Sequence, residues 1–356
     1  MRALAIELTG RGHSVDVLTT TLTTIGERPS RASRTADVDG TTVRYLGTPF
    51  RFRWFGATPS LQRELATQPR PDVVHVFGFR DYVSTVTARW CRKNGVPYVF
   101  EALGMFRPKL RKVLLKRGLD GTLYRAVPRG AALAIAASEI ERRELQTALP
   151  SSRIVIRPNG FPAPFEPPGR PGPLRRRLGL DATAPLVLSV GRVARGKGLE
   201  HLVSAVSRVE GVQLAIVGPD DGHGMTRELI RLRSRLGADR RVHLLGAADS
   251  PLELYGDADV LALASAHENF GMVAAEAAAA GVASIVTNRC GIAELLRDRA
   301  ALVIPYSEAR LYEGLVRLLS DEGLRAQLGR GGQDVAAEVS WSHVARIQAK
   351  IYEQVT

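Results

Sequence analysis

Short apolar runs alternate with helix-forming segments along the whole chain, and one Pro/Gly-rich stretch at 158–173 interrupts the alternation. The runs fall at 13–20, 41–46, 72–77, 97–102, 133–138 and 154–157 before that stretch. After it they fall at 185–191, 212–218, 241–246, 258–264, 283–288 and 301–305. Most lack a period of two, as parallel strands covered on both faces do. Strand–helix–strand succession of this kind predicts doubly wound α/β sheets. Proline cannot donate to a ladder or continue a helix, so 158–173 belongs to neither series and reads as a linker. At 356 residues the chain is too long for one ordinary core and suits two domains. The expected division is 1–160 and 161–340, each Rossmann-like, with ligands bound beyond the carboxyl ends of the strands.

One element is out of order. Residues 1–9, MRALAIELT, have the pattern of a helix ended by Gly10 and Gly12, ahead of the first apolar run. A doubly wound domain opens with its central strand, then a glycine turn, then that helix. The N-terminal domain is therefore expected to lack its first strand and Gly-rich turn: either Met1 is an internal start or the domain is incomplete, the alternative being a variant domain that does without the strand.

The composition, 45% hydrophobic and 24% charged, is that of a folded globular protein. Apolar runs such as 131–137 are too short to span a bilayer, and no signal-peptide pattern opens the chain. Cys91 and Cys290 stand far apart without metal-type spacing, which predicts a reducing, cytoplasmic setting without a structural disulfide. The net charge of +13 is uneven: residues 1–180 hold 30 Lys+Arg against 14 Asp+Glu, the remainder 19 against 22. A phosphorylated substrate, an anionic membrane surface or an Arg-rich solubilising face each accounts for such a basic half. Its densest part, 107–117, sets Leu110, Val113 and Leu114 among basic residues, a pattern that suits equally a cationic amphipathic helix on a membrane or lipid diphosphate and a solvated helix face. Nucleic acid is not expected as a partner, because no aromatic stacking platform accompanies the charge.

The chemistry concentrates in two stretches of the second half. HENFGMVAAE at 267–276 follows an apolar run and opens an Ala-rich helix of about 272–280. Gly271 admits close approach of a ligand to the backbone, and the helix start offers unpaired N–H groups to a diphosphate. Glu268 precedes the helix, and Glu276 lies one turn beyond Met272 on the same face, so two carboxylates can accept from two sets of hydroxyls. SVGRVARGKG at 189–198 directly follows another apolar run. There Gly191 allows a tight turn, and Arg192 and Lys197 can neutralise a diphosphate without a metal. No His/Asp/Cys cluster has metal-ligand spacing.

The Glu268–Glu276 spacing, with the Ala277–Gly281 sequence behind it, resembles the E-x7-E signature of GT4-family retaining glycosyltransferases. The 191–198 stretch is similar to that family's G-R-x-x-x-x-K-G loop. The resemblance implies a GT-B fold, two Rossmann-like domains facing across a cleft, and transfer of a sugar from a nucleotide-diphosphate sugar to a hydroxyl acceptor. It implies Glu268, Arg192 and Lys197 as catalytic residues and Glu276 as holder of the ribose hydroxyls. Gly191, Asn269, Phe270, Gly271, Met272 and Val273 would meet the sugar and diphosphate, largely through main-chain amides. The base would lie near Leu245 and the turn after Pro219, where backbone contacts leave UDP, GDP and ADP sugars indistinguishable. Trp341 and the segment to 356 resemble the helix that crosses back onto the N-terminal domain.

Many relatives carry a His-Gly pair after the fourth N-terminal strand; here Leu103 precedes Gly104. Glu101, Gly104 and His75 are the acceptor-side candidates, for a glycan, a lipid-linked sugar or a small molecule, in envelope or polysaccharide synthesis. The competing readings are another GT-B enzyme, such as an epimerase or phosphorylase, and a non-catalytic protein that keeps the fold.

Overall fold

The computed structural model describes residues 1–22, 29–52, 55–108, 113–161, 165 and 169–356. The chain divides into two compact units: Met1–Pro158 together with Trp341–Thr356, and Asn159–Ser340.

The first unit opens with helix α1 (Arg2–Gly10). Its C-cap is Arg11, at φ −93°, so Gly10 is the last helical residue and not the cap; Gly12, at φ +90°, makes the turn that follows. Strands β1 (Asp16–Thr20), β2 (Arg34–Val38) and β3 (Thr41–Leu46) form one sheet in the order β1-β3-β2. β1 runs parallel to β3 and β2 antiparallel. The short pair β4 (Phe50–Phe52) and β5 (Phe55–Ala57) stands apart. After helix α2 (Ser60–Thr67) come β6 (Val74–Phe77), α3 (Tyr82–Asn94), β7 (Tyr98–Glu101), α4 (Val113–Gly121), α5 (Ala126–Gly130), β8 (Leu133–Ala136), α6 (Glu139–Leu145) and β9 (Ile154–Ile156). These four strands make a parallel sheet, β6-β7-β8-β9. Among the described residues β1 and β6 are edge strands of separate sheets. Leu110 of the basic stretch lies outside the described residues; Leu114, on α4, is 82% exposed.

The second unit is a single parallel sheet with helices between successive strands. Its elements are α7 (Pro173–Leu178), β10 (Leu186–Val190), α8 (Leu199–Ser207), β11 (Gln213–Val217), α9 (Met225–Arg235), β12 (Val242–Leu244), β13 (Val260–Leu263), α10 (Met272–Ala279), β14 (Ser284–Thr287), α11 (Ala293–Leu296), β15 (Ala301–Ile304), α12 (Glu308–Ser320) and α13 (Glu322–Glu338). The sheet order is β12-β11-β10-β13-β14-β15. The chain builds outward from β10 to β12, then returns to the other side of β10 and builds outward to β15. The reversal lies between β10 and β13, the position where open α/β sheets bind ligands beyond the strand ends.

Alanine decides how α10 sits. Ala274, Ala275, Ala277, Ala278 and Ala279 are buried, and a Cβ at Gly332 of α13 would stand 2.6 Å from the Ala278 carbonyl oxygen. The two helices therefore cross with their backbones nearly touching, which larger side chains on either would prevent. The last helix, α14 (Trp341–Glu353), belongs to the first unit, where Ala345 packs with Leu4 and Leu8 of α1.

A candidate donor site at the switch point of the second sheet

The loops after β10 and β13 flank the reversal, and they bring the motif residues together. Gly191, at φ +137°, donates its N–H to the Val217 carbonyl at 2.9 Å. A Cβ on Gly218 would collide with the Gly191 carbonyl oxygen, so glycine is required where these two strand ends meet. The loops beyond them are laced by Val193 N–H to the Pro219 carbonyl at 2.9 Å. Leu245, one residue past β12, donates its N–H to Ile216, and Gly218 donates to Gly246 at 2.8 Å. Gly191, Gly218 and Leu245 thus share one rim of the sheet. Arg192 is exposed.

Across the switch point, Ala266 N–H bonds the Gly196 carbonyl at 2.8 Å, and a Cβ on Gly198 would strike the Ala264 carbonyl. This close seam carries Lys197 to Glu268: Lys197 Nζ and Glu268 Oε2 form a hydrogen-bonded ion pair, with both side chains about three-quarters buried. Glu268 also bonds through its main chain on both sides, accepting from Gly291 N–H at 3.0 Å and donating to the Arg289 carbonyl at 3.2 Å. Its neighbour Phe270 is buried and accepts from Ile292 at 2.7 Å. Asn269, Met272 and Val273 are partly buried on the same turn. Gly271, at φ +110°, is the N-cap of α10. A Cβ there would meet Leu263 at 2.9 Å and Ile292 at 3.0 Å.

Glu276 projects from α10 toward Tyr255, which lies on a 3-10 segment, Pro251–Asp257. The Tyr255 hydroxyl donates to Glu276 Oε2 at 2.5 Å. Burial raises the Glu276 carboxyl above its ordinary value, and the Tyr255 hydrogen bond pulls the other way. Sequence reasoning missed Tyr255, a single aromatic in PLELYGD, with no spacing to tie it to a glutamate 21 positions on.

The acceptor-side candidates lie in the first unit and are differently placed. Glu101 is 1% exposed, paired with Arg157, and its Oε2 stands 3.2 Å from His75 Nε2. His75 Nδ1 is 2.7 Å from the Tyr352 hydroxyl on α14. Burial lowers the His75 pKa. Burial alone would raise Glu101, but His75 and the Arg157 charge bring it below its ordinary value. Both side chains therefore face a buried polar cluster and not solvent. Gly104, at φ +74° after Leu103 at φ +53°, donates its N–H to Glu141 at 2.6 Å. Among the described residues, no group of three or more His, Cys, Asp or Glu is placed to hold a metal ion. No helix among them is long and apolar enough to cross a membrane.

Comparison with known proteins gives the family and the fold. The family model for glycosyl transferases group 1 matches residues 173–335, and that for the glycosyl transferase 4-like domain matches 1–160. D-inositol 3-phosphate glycosyltransferase of Xylanimonas cellulosilytica is 33% identical over 189 residues, 51% of this chain and 45% of that protein. The chain matches about half the length of the curated relatives. Sucrose-phosphate synthase of Thermosynechococcus elongatus superposes with a TM-score of 0.78 at 22% identity, over 99% of this chain and 91% of its own. Anabaena HepE, solved in complex with UDP, superposes at 0.71 and 20% identity, over 83% and 82%. The fold is that of the GT-B glycosyltransferases, two Rossmann-like domains in one chain. The chain belongs to the group 1, GT4-type glycosyltransferases.

Proposed function

We propose that the protein transfers a sugar from a nucleotide-diphosphate sugar to a hydroxyl acceptor with retention of anomeric configuration. The observation that carries this reading is the meeting of Lys197 and Glu268 at the switch point, where a cationic loop and an acidic helix-start loop share one seam. Arg192 and Lys197 neutralise the diphosphate without need of a divalent metal, and the start of α10 adds the positive end of its dipole. Glu268 accepts from a sugar hydroxyl and Glu276 from the ribose. Main-chain groups near Gly218 and Leu245 flank the base. The family resemblance and the solved neighbour in complex with UDP support a nucleotide-sugar donor.

In the reaction, the bond from the anomeric carbon to the β-phosphate oxygen breaks while a bond to the acceptor oxygen forms on the same face. The acceptor proton passes to the departing phosphate. Placement and charge neutralisation are then the protein's main contributions, and no side-chain base has to be found. With His75 and Glu101 turned into a buried cluster, the acceptor is met at the ends of β6 and β7 by other groups. Exposed Leu103 and Met105 lie there, and Leu114 stands near Lys116 and Arg117 on α4, which suits an acceptor held at an anionic lipid surface.

The test is a panel of UDP, GDP and ADP sugars, read first by thermal shift and then by donor hydrolysis. One donor class should stabilise the protein, and the α-linked product of an α-donor should be visible by NMR. Inverted product, or donor hydrolysis unchanged in both Lys197→Ala and Glu276→Ala, would sink the reading.

A further inference from the structure

Glu276 is an acid without a cationic partner: among the described residues none forms an ion pair with it. It is the only charged residue of α10, whose other seven residues are Met, Val and Ala. The elements packed most closely against α10 include β13, β14, α13 and the 3-10 segment Pro251–Asp257. β13 and β14 carry no charged side chain. α13 carries Glu322, Arg325, Arg330, Asp334 and Glu338, and the 3-10 segment carries Glu253 and Asp257. Burial raises the Glu276 carboxyl above its ordinary value, and the Tyr255 hydroxyl is the group whose hydrogen bond pulls it back.

Tyr255 is built to be a fixed donor. Its ring is fully buried, and burial, with the nearby Glu276 charge, drives its own pKa far above the ordinary phenol value. The hydroxyl therefore stays protonated, and its proton points at Glu276. The segment that carries it is anchored two residues on, where Asp257 accepts from the amides of Gly172 at 2.6 Å and Leu174 at 2.8 Å. Its own carbonyl accepts from Arg175 Nε at 2.9 Å. A phenol on so constrained a backbone cannot follow Glu276 if the carboxylate rotates.

We propose that Tyr255 is the positioning residue of the donor site, holding Glu276 in one rotamer through Oε2 so that the carboxylate accepts the donor's vicinal hydroxyls. This rests on the reading of Glu276 as a donor contact and adds to it the residue that orients that contact and sets its working pH. The hydrogen bond from Tyr255 favours the ionised carboxylate and offsets part of the burial that favours the neutral acid. The consequence is an acid limit on donor affinity that Tyr255 keeps away from neutral pH.

The experiment is calorimetric titration of wild type, Tyr255→Phe, Glu276→Gln and the double variant with UDP, GDP and ADP between pH 5.5 and 8.5. The wild type should bind one of the three, with affinity falling toward acid. In Y255F that fall should move upward by about one pH unit, with roughly a tenfold loss near pH 6 and a smaller loss near pH 8. E276Q should show a flat profile, and the double variant should match E276Q alone. A wild-type profile in Y255F overturns the proposal, as does a further loss when Y255F is added to E276Q. If none of the three nucleotides binds wild type, the donor-site reading itself falls, and this inference with it.

Discussion

Lys197 and Glu268 are 71 positions apart in sequence and form an ion pair across the switch point of the second sheet. Each motif residue thus neutralises much of the other's charge. On the proposed reading, a diphosphate that docks against Lys197 competes with Glu268 for the ammonium. Both side chains keep about a quarter of their surface in solvent, so the ammonium can be reached by a dianionic ligand.

It follows that the two partners should separate binding from turnover. Glu268→Gln leaves Lys197 unmasked, so UDP, or whichever diphosphate binds wild type, should bind at least as tightly. Turnover should fall about 100-fold or more, because the sugar loses a charged acceptor. Lys197→Met should weaken the diphosphate by roughly tenfold or more. Calorimetry alongside single-turnover kinetics checks both; weaker diphosphate binding in E268Q would contradict the competition.

The seam between the two loops should tolerate no side chain at Gly198. This residue is the N-cap of α8 at φ +64°, and a Cβ would strike the Ala264 carbonyl. Backbone cannot give way as a side-chain end can, so Gly198→Ala should push the 192–197 loop from the β13 loop and abolish diphosphate binding. The strain should also cost about 1–3 kcal/mol of stability, measured by denaturant unfolding.

The network beneath the linker should be structural. Asp257 accepts three backbone N–H groups, from Gly172, Leu174 and Arg175, and the fully buried Arg175 bonds the Asp257, Asp181 and Ala184 carbonyls and Asp259. Asp257→Ala leaves those three donors without their acceptor inside the protein. A loss of about 3 kcal/mol or more is expected. A change below about 1 kcal/mol would mean that water replaces the carboxylate there.

Acid should destabilise the first unit in two stages. The His75 pKa lies below its ordinary 6.5 in the folded chain, chiefly through burial. As pH drops below that value the unfolded chain takes the proton first, and stability is lost down to the folded pKa. Glu101, held below its ordinary 4.5, adds stability above that value that is lost as pH falls through its folded pKa. Both signs agree. Thermal unfolding followed from pH 8 to 4 should show a declining midpoint below about pH 6.5, and His75→Gln should remove the upper stage. An unchanged slope in H75Q would assign that stage to other groups.

Much of the fold was legible because parallel strands announce themselves. The apolar runs expected at 185–191, 212–218 and 258–264 contain β10, β11 and β13, since burial on both faces demands continuous Val, Leu, Ile and Ala. β2 was not legible: RTADV lies antiparallel at a sheet edge and leaves three of its five residues exposed, so no hydrophobic pattern marks it. The β4–β5 pair escaped for a related reason, at three residues per strand.

The sequence alone determined the local chemistry: which strand ends are followed by glycine turns, where α10 begins, and which loops carry Arg192, Lys197, Glu268 and Glu276. Propensity and burial act on neighbouring residues, so they leave a local record. Only the tertiary structure decided the partners: Lys197 with Glu268, Tyr255 with Glu276, and His75 with Glu101, Arg157 and Tyr352. Those pairings depend on strand order, on the return of α14 to the first unit, and on a short 3-10 segment. A single sequence does not record distance through space, and there the site residues acquire their charge state and orientation.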